Sequence, residues 1–227
     1  MSNLNTAKRR GPRRGLPPGT HGLPREQVLI SQRGRLLHAV TAAVADRGYA
    51  ATTITEIVDR AGVSRRTFYE HFADKEECFL AAYDAGSEAL LERVMAAQAQ
   101  LEEWRDSLRA GVRAYLTAFA EEPAYAKATM VDVLGAGPRA LARRRQINRR
   151  YAGILEHFHS AAREQHPGLP ALTQPIFTAL IAAVDGLVCD YIEQGRAREL
   201  PALENIVVYL ELALLAGHDA AARAIPS

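Results

Sequence analysis

The chain has 227 residues, of which 48% are hydrophobic and 24% charged; this is enough apolar material for a sizeable core and excludes a low-complexity or disordered protein. The net charge is +2, yet Lys8, Arg9, Arg10, Arg13, Arg14 and Arg25 precede Glu26 with no acid among them, which leaves the rest of the chain at −4. A basic arm on an acidic body points to a polyanion partner at one end only.

Cys78 and Cys189 stand far apart among helix-forming residues. They fit neither a disulfide framework nor a metal motif, and they suit a reducing cytoplasm. No uninterrupted apolar run reaches membrane-spanning length, because the best stretch, 179–184, is cut by Asp185. The basic arm lacks the apolar stretch of a secretory signal. A cytoplasmic protein without metal or cofactor is expected.

Residues 1–24 are rich in Gly, Pro and Arg without apolar periodicity and read as a flexible basic arm. From there on the pattern is all-α. Leu36, Leu37, Val40, Ala43 and Val44 place one apolar face on a first helix from about 25 to 47, and Gly48 suits a left-handed stop. Thr53 with Glu56 forms a capping box for a second helix that buries Ile54, Ile57, Val58 and Ala61. After a turn at Gly62, Ser64 caps a short third helix with Phe68 and Phe72 on one face. Asp74 with Glu77 caps a fourth helix running to about residue 97. Further helices are expected near 104–120, 125–134, 139–164, 172–193 and 203–216, separated by Pro123, by Gly135, Gly137 and Pro138, by residues 166–170, and by residues 195–201.

Two helices joined by a short Gly-containing turn are the helix-turn-helix arrangement, in which one helix braces and the next enters the major groove. On the third helix Arg66, Thr67 and Glu70 fall roughly opposite Phe68 and Phe72, with Tyr69 and His71 on the flanks and Arg65 able to swing outward. Adjacent arginines can read guanine or clamp phosphate. Glu70 could orient Arg66 or accept from a cytosine amine. A bare helical hairpin with surface charge would show the same spacing.

The stretch TTITEIVDRAGVSRRTFYEHFADKEECFLAAYD resembles the DNA-binding domain of the tetracycline-repressor (TetR) family of bacterial transcriptional regulators, over about residues 36–84. The specific elements are Ala-Gly-Val-Ser at the turn, Phe-Tyr-Glu-His-Phe, and Asp-Lys-Glu-Glu. The resemblance implies DNA contacts from Thr52, Thr53, Arg65, Arg66, Thr67, Tyr69, His71 and Lys75. Arg9, Arg10, Arg13 and Arg14 are expected to lie along phosphates or enter the minor groove. It also implies a three-helix DNA-binding domain over 25–73, followed by a helical effector-binding and dimerisation domain over 74–227.

The family acts as dimers on palindromic operators. Two apolar stripes, Leu180, Val184, Leu187, Val188 and Tyr191, then Leu203, Ile206, Val207, Leu210 and Leu214, read on spacing alone as intramolecular core, and the resemblance implies instead that they build the dimer interface. An effector pocket is expected among Trp104, Tyr115, Phe119, Met130, Tyr151, Phe158 and Phe177, with His157, Asp185 and Cys189 as its polar groups. The expected function is a repressor released by a small, largely apolar effector. An activator or architectural DNA-binder on the same motif is the alternative. A helical enzyme is disfavoured, because no phosphate loop, nucleophile elbow or metal-binding helix motif is present. The arginine run at 143–145 with Arg149 and Arg150 reads as the solvated face of a long helix.

Overall fold

The computed structural model describes residues 25–217 and residue 223; the arm expected at 1–24 and its Arg9, Arg10, Arg13 and Arg14 lie outside the described residues. These contain helices and no strand. They are α1 (Arg25–Arg47), α2 (Ile54–Ala61), α3 (Arg65–His71), α4 (Lys75–Gln98), α5 (Trp104–Glu121), α6 (Pro123–Ala126), α7 (Pro138–Gln165), α8 (Gln174–Glu193) and α9 (Glu204–Ala216).

The caps of α2, α3 and α4 follow the expected chemistry. Thr53 and Ser64 each accept from the backbone N–H three residues on, at 3.2 and 3.0 Å. Asp74 accepts from the Glu77 N–H at 2.7 Å, and Glu77 reaches back to the Ala73 N–H. Gly62 takes the left-handed conformation (φ 63°) that closes α2, and the Val63 N–H bonds the Val58 carbonyl. These short bonds fix where α2 stops and how α3 leaves it, since the α2 and α3 faces are only 8 and 7 residues long.

Two hydrophobic clusters divide the interior. One joins α1, α2, α3 and the start of α4 through Leu36, Val40, Ile57, Phe68, Phe72 and Phe79, and also takes Ala128, Val133, Ala140 and Ile147 from the middle of the chain. The other joins the end of α4 with α5, α7, α8 and α9. Helices α4 and α7 contribute to both, so packing runs across the junction between residues 73 and 74.

The segment expected as one helix over 125–134 is broken. After α6 the chain widens into a π-turn at Lys127–Val131 and tightens into a 3-10 turn at Asp132–Gly135. Tertiary bonds hold this shape. Lys127 donates to the Ala45 carbonyl at 2.6 Å, and the Met130 carbonyl accepts from Arg144 at 2.7 Å and from Cys189 at 3.3 Å. A further 3-10 turn, Ala197–Leu203, occupies what reads in the sequence as a break, with Leu200 and Leu203 buried.

The arginine run on α7 forms a solvated face apart from Arg144: Arg145, Arg149 and Arg150 are exposed and Arg143 partly so, with surface ion pairs from Arg143 to Asp84, Arg150 to Glu88 and Arg139 to Glu76 reaching across to α4. Arg144 turns inward to Asp185, both side chains being 14% exposed. Helix α8 is long and apolar enough on average to cross a membrane, which corrects the estimate from unbroken runs; here Asp185 at its middle is tied to α7.

Gly86 of α4 lies under the Tyr125 ring, which a methyl group there would overlap. Gly86→Ala gains up to about 1 kcal/mol of helix propensity, but the overlap costs about 1–3 kcal/mol. Urea unfolding should show net destabilisation, and a more stable variant would mean that Tyr125 moves aside freely.

Candidate nucleic-acid interface and internal cavity

The third helix presents one polar face. Phe68 is fully buried and Phe72 is 2% exposed, and Arg33 covers the Phe72 ring at 4.8 Å. With that side docked, Arg65, Arg66 and Tyr69 are driven outward, Tyr69 at 52% exposure and the Arg66 side chain at 89%. A tyrosine hydroxyl beside two arginines offers hydrogen-bonding groups suited to phosphate and groove contacts. Arg66 bonds Glu70 at 3.2 Å, the i, i+4 contact by which Glu70 can orient it. Arg65 leans on the Thr55 hydroxyl at 3.4 Å. Thr55 was not singled out from sequence, although its exposed place in the first turn of α2 was the available signal.

The other expected contacts are placed differently. Thr53 is exposed, with its hydroxyl engaged in capping. Thr67 is half-buried and its hydroxyl shares a 3.0 Å bond with Ser64. His71 is half-buried, with Nε2 enclosed and without a hydrogen-bond partner. Thr52 corrects the expectation: it is 2% exposed and donates to the Gly48 carbonyl at 2.9 Å, because the residue preceding the N-cap points into the core.

Lys75 donates to the Tyr49 and Thr52 carbonyls at 2.7 and 2.8 Å and lies over the Tyr49 ring at 4.3 Å. Burial lowers its pKa from the ordinary lysine value. It pins the α1–α2 loop to the start of α4 and keeps one N–H for an outside acceptor.

The internal cavity measures about 140 Å³ within a partly open cleft, comparable to engineered apolar cavities of about 150 Å³ that admit benzene. Its wall is mostly aliphatic. Of the residues expected from sequence, Tyr115, Tyr151, Phe158 and Asp185 line it. The Tyr151 hydroxyl donates to the Ser87 carbonyl of α4 at 3.0 Å, and Asp185 accepts from Arg144 at 3.1 Å and Asn148 at 2.8 Å.

The remaining expected residues do not line it. Trp104 is buried, flanked by Arg105 and His166. Phe119 stacks on Tyr125, and Phe177 packs on His159. Met130 and Cys189 meet each other at the π-turn, and His157 is exposed. Periodicity identifies apolar faces but not which of them leaves a gap. Missed were the α4 residues Leu90, Leu91 and Val94 and the acid Glu211 of α9. Burial among apolar side chains pushes the Glu211 carboxyl up to about 8.

The expected interface residues also divide. Leu180, Val184, Val188, Leu203 and Val207 are buried within this chain, which corrects their assignment to a surface, while Leu187, Tyr191 and Leu210 are half-buried. The outward faces are Ala179, Ala182, Ala183 and Gly186 on α8, and Ile206 and Leu214 on α9, at 53% and 39% exposure. Both helices carry two apolar stripes, and the bulkier one fills the core.

Comparison with known proteins adds an independent line. Residues 36–82 match the family described as bacterial regulatory proteins, tetR family. Over 118 residues the chain is 41% identical to the HTH-type transcriptional activator FasR of Mycolicibacterium smegmatis, covering 51% of this chain and 52% of that one. Over 47 residues it is 49% identical to the HTH-type transcriptional repressor KstR2 of Mycobacterium tuberculosis, covering 21% of this chain and 24% of that one. The matches thus span about half of the first relative's length and about a quarter of the second's. Among solved structures, the fatty acid degradation regulator FadR from Bacillus halodurans superposes with a TM-score of 0.73 at 16% identity, over 81% of this chain and 94% of that one. The regulator FadR from Bacillus subtilis in complex with stearoyl-CoA gives 0.71 at 20% identity, over 81% and 98%. At these identities the structural likeness carries the fold.

Proposed function

We propose that this chain is a TetR-family transcriptional regulator, as the match over residues 36–82 supports, and that it acts as a dimeric, ligand-released repressor of operator DNA. The observation that carries the ligand-release reading is the course of α4. Three residues separate this helix from the end of α3, and its Leu90, Leu91 and Val94 line the cavity. At 1.5 Å per residue, Lys75 and Leu90 stand roughly 22 Å apart on one rigid rod. A ligand that widens the cavity tilts α4, and the pinning of Lys75 to the Tyr49 and Thr52 carbonyls carries α1 and α2 with it. The two recognition helices of the dimer then lose the spacing of one DNA turn.

Dimerisation uses the outward faces of α8 and α9. The small residues Ala179, Ala182, Ala183 and Gly186 allow close helix approach, and Ile206 and Leu214 supply bulk beside them. The effector is apolar, as the cavity wall is. The stearoyl-CoA named with one structural neighbour makes acyl chains a reasonable first series, although a cavity of about 140 Å³ must open to take a long one.

Footprinting of DNA upstream of the gene should reveal a palindromic protected site. Arg66→Ala should weaken binding to that site by about 1–3 kcal/mol and relax its sequence preference. An equal loss on random DNA would make Arg66 a phosphate contact only. A reporter in a deletion strain should rise. The named relatives include both an activator and a repressor, and a fall in the reporter would assign activation instead.

A further inference from the structure

The cavity carries one acid that its neighbours do not answer. Glu211 lies in its wall on α9 and has no hydrogen-bond or ion-pair partner among the described residues. The groups around it account for themselves. On α5, Arg113 binds Glu204, two turns earlier on α9, and Arg109 bonds both Glu204 and Asn205. On α8, Asp185 is bonded by Arg144 and Asn148. On α7, Tyr151 is bonded to Ser87 and His159 to the Leu215 carbonyl. On α4, Gln98 is neutral and donates to the Ser107 carbonyl. Tyr115 of α5 presents a second hydroxyl to the cavity without a side-chain partner.

A carboxyl facing an apolar gap, with no base to balance it, is held uncharged and offers an O–H. Two donors, Glu211 and Tyr115, therefore meet a cavity wall that lacks an unengaged cation. We propose that Glu211 is a specificity determinant of this cavity, and that the effector is an apolar molecule whose polar end is an uncharged hydrogen-bond acceptor, such as an ester or thioester carbonyl. The inference rests on the reading of the cavity as the effector site. A free carboxylate would enter without a counter-ion, since Arg144 is already engaged by Asp185, and an ammonium would lose its water to a mostly aliphatic wall in which Glu211 is held uncharged.

The test is calorimetry on the full chain with three probes of equal chain length: methyl octanoate, octanoate and octylamine. At pH 7 the ester should bind at least about tenfold tighter than either charged probe. Glu211 is mostly protonated at pH 7 and mostly ionised at pH 9, so ester affinity should fall about tenfold over that range, as the competent fraction falls. The Tyr115 and Tyr151 phenols are raised above their ordinary value by burial and do not titrate there. Glu211→Gln keeps a donor and should bind the ester within a few-fold while losing the pH dependence. Glu211→Leu should weaken the ester about three- to tenfold. Tighter octanoate or octylamine, or ester affinity indifferent to pH and to Glu211→Leu, overturns the inference while leaving the cavity as the effector site. If none of the three probes binds, the effector-site reading itself fails.

Discussion

Ile206→Asp combined with Leu214→Asp is expected to give a folded monomer that no longer protects operator DNA. Both side chains are exposed in the single chain, at 53% and 39%, so a charge there meets water and costs little to the fold itself. In a dimer the same charges face their own copies across a two-fold axis, where like charges repel and neither is solvated. The consequence for DNA is large, because two half-sites bound by one dimer gain roughly 10²- to 10⁴-fold over separate contacts. Sedimentation velocity reads the assembly and footprinting reads the affinity. Leu180→Asp is the contrast: Leu180 is fully buried within the chain, and the variant should unfold. If the double variant stays dimeric with undiminished operator affinity, the interface lies on another face of the molecule.

The DNA-binding end was legible in the sequence because its signals are local. Thr53, Ser64, Asp74 and Gly62 act on residues no more than five positions away, and each does what its chemistry requires. The outward places of Arg66 and Glu70 on α3 followed from where Phe68 and Phe72 had to go, whereas Thr67 is drawn in by its bond to Ser64. The second half was less legible because its arrangement depends on contacts far along the chain. The π-turn at Lys127–Val131 is held by bonds to Ala45, Arg144 and Cys189, none of them a neighbour in sequence. The apolar stripes of α8 and α9 were found, but choosing the inward stripe needs the positions of the other helices. Glu211 was passed over because an acid among leucines reads as surface until the opposite wall of a cavity is known.

Asp185 links that cavity to the DNA-binding end, and altering it should have the largest effect on both stability and response. Its carboxylate lines the cavity and accepts from Arg144; Arg144 also donates to the Met130 carbonyl in the π-turn, and Lys127 at the head of that turn donates to the Ala45 carbonyl near the end of α1. Asp185→Ala strands the Arg144 guanidinium at 14% side-chain exposure, and loss of one partner from such a pair costs about 3–5 kcal/mol. That is a large part of the roughly 5–15 kcal/mol that holds a domain folded, so chemical denaturation should show it directly. Stability alone would not establish a relay, since contiguity in space is not coupling. The double variant Asp185→Leu with Arg144→Met separates the two effects. Replacing a buried ion pair by apolar side chains of similar volume is often neutral or stabilising, so this chain should fold and bind operator. With the link to the π-turn removed, methyl octanoate that still occupies the cavity should release DNA less readily than it does from the parent chain. Release at the parent's concentration would leave α4 as the route by which the cavity speaks to the recognition helix, with the ion pair serving only to hold α7 against α8.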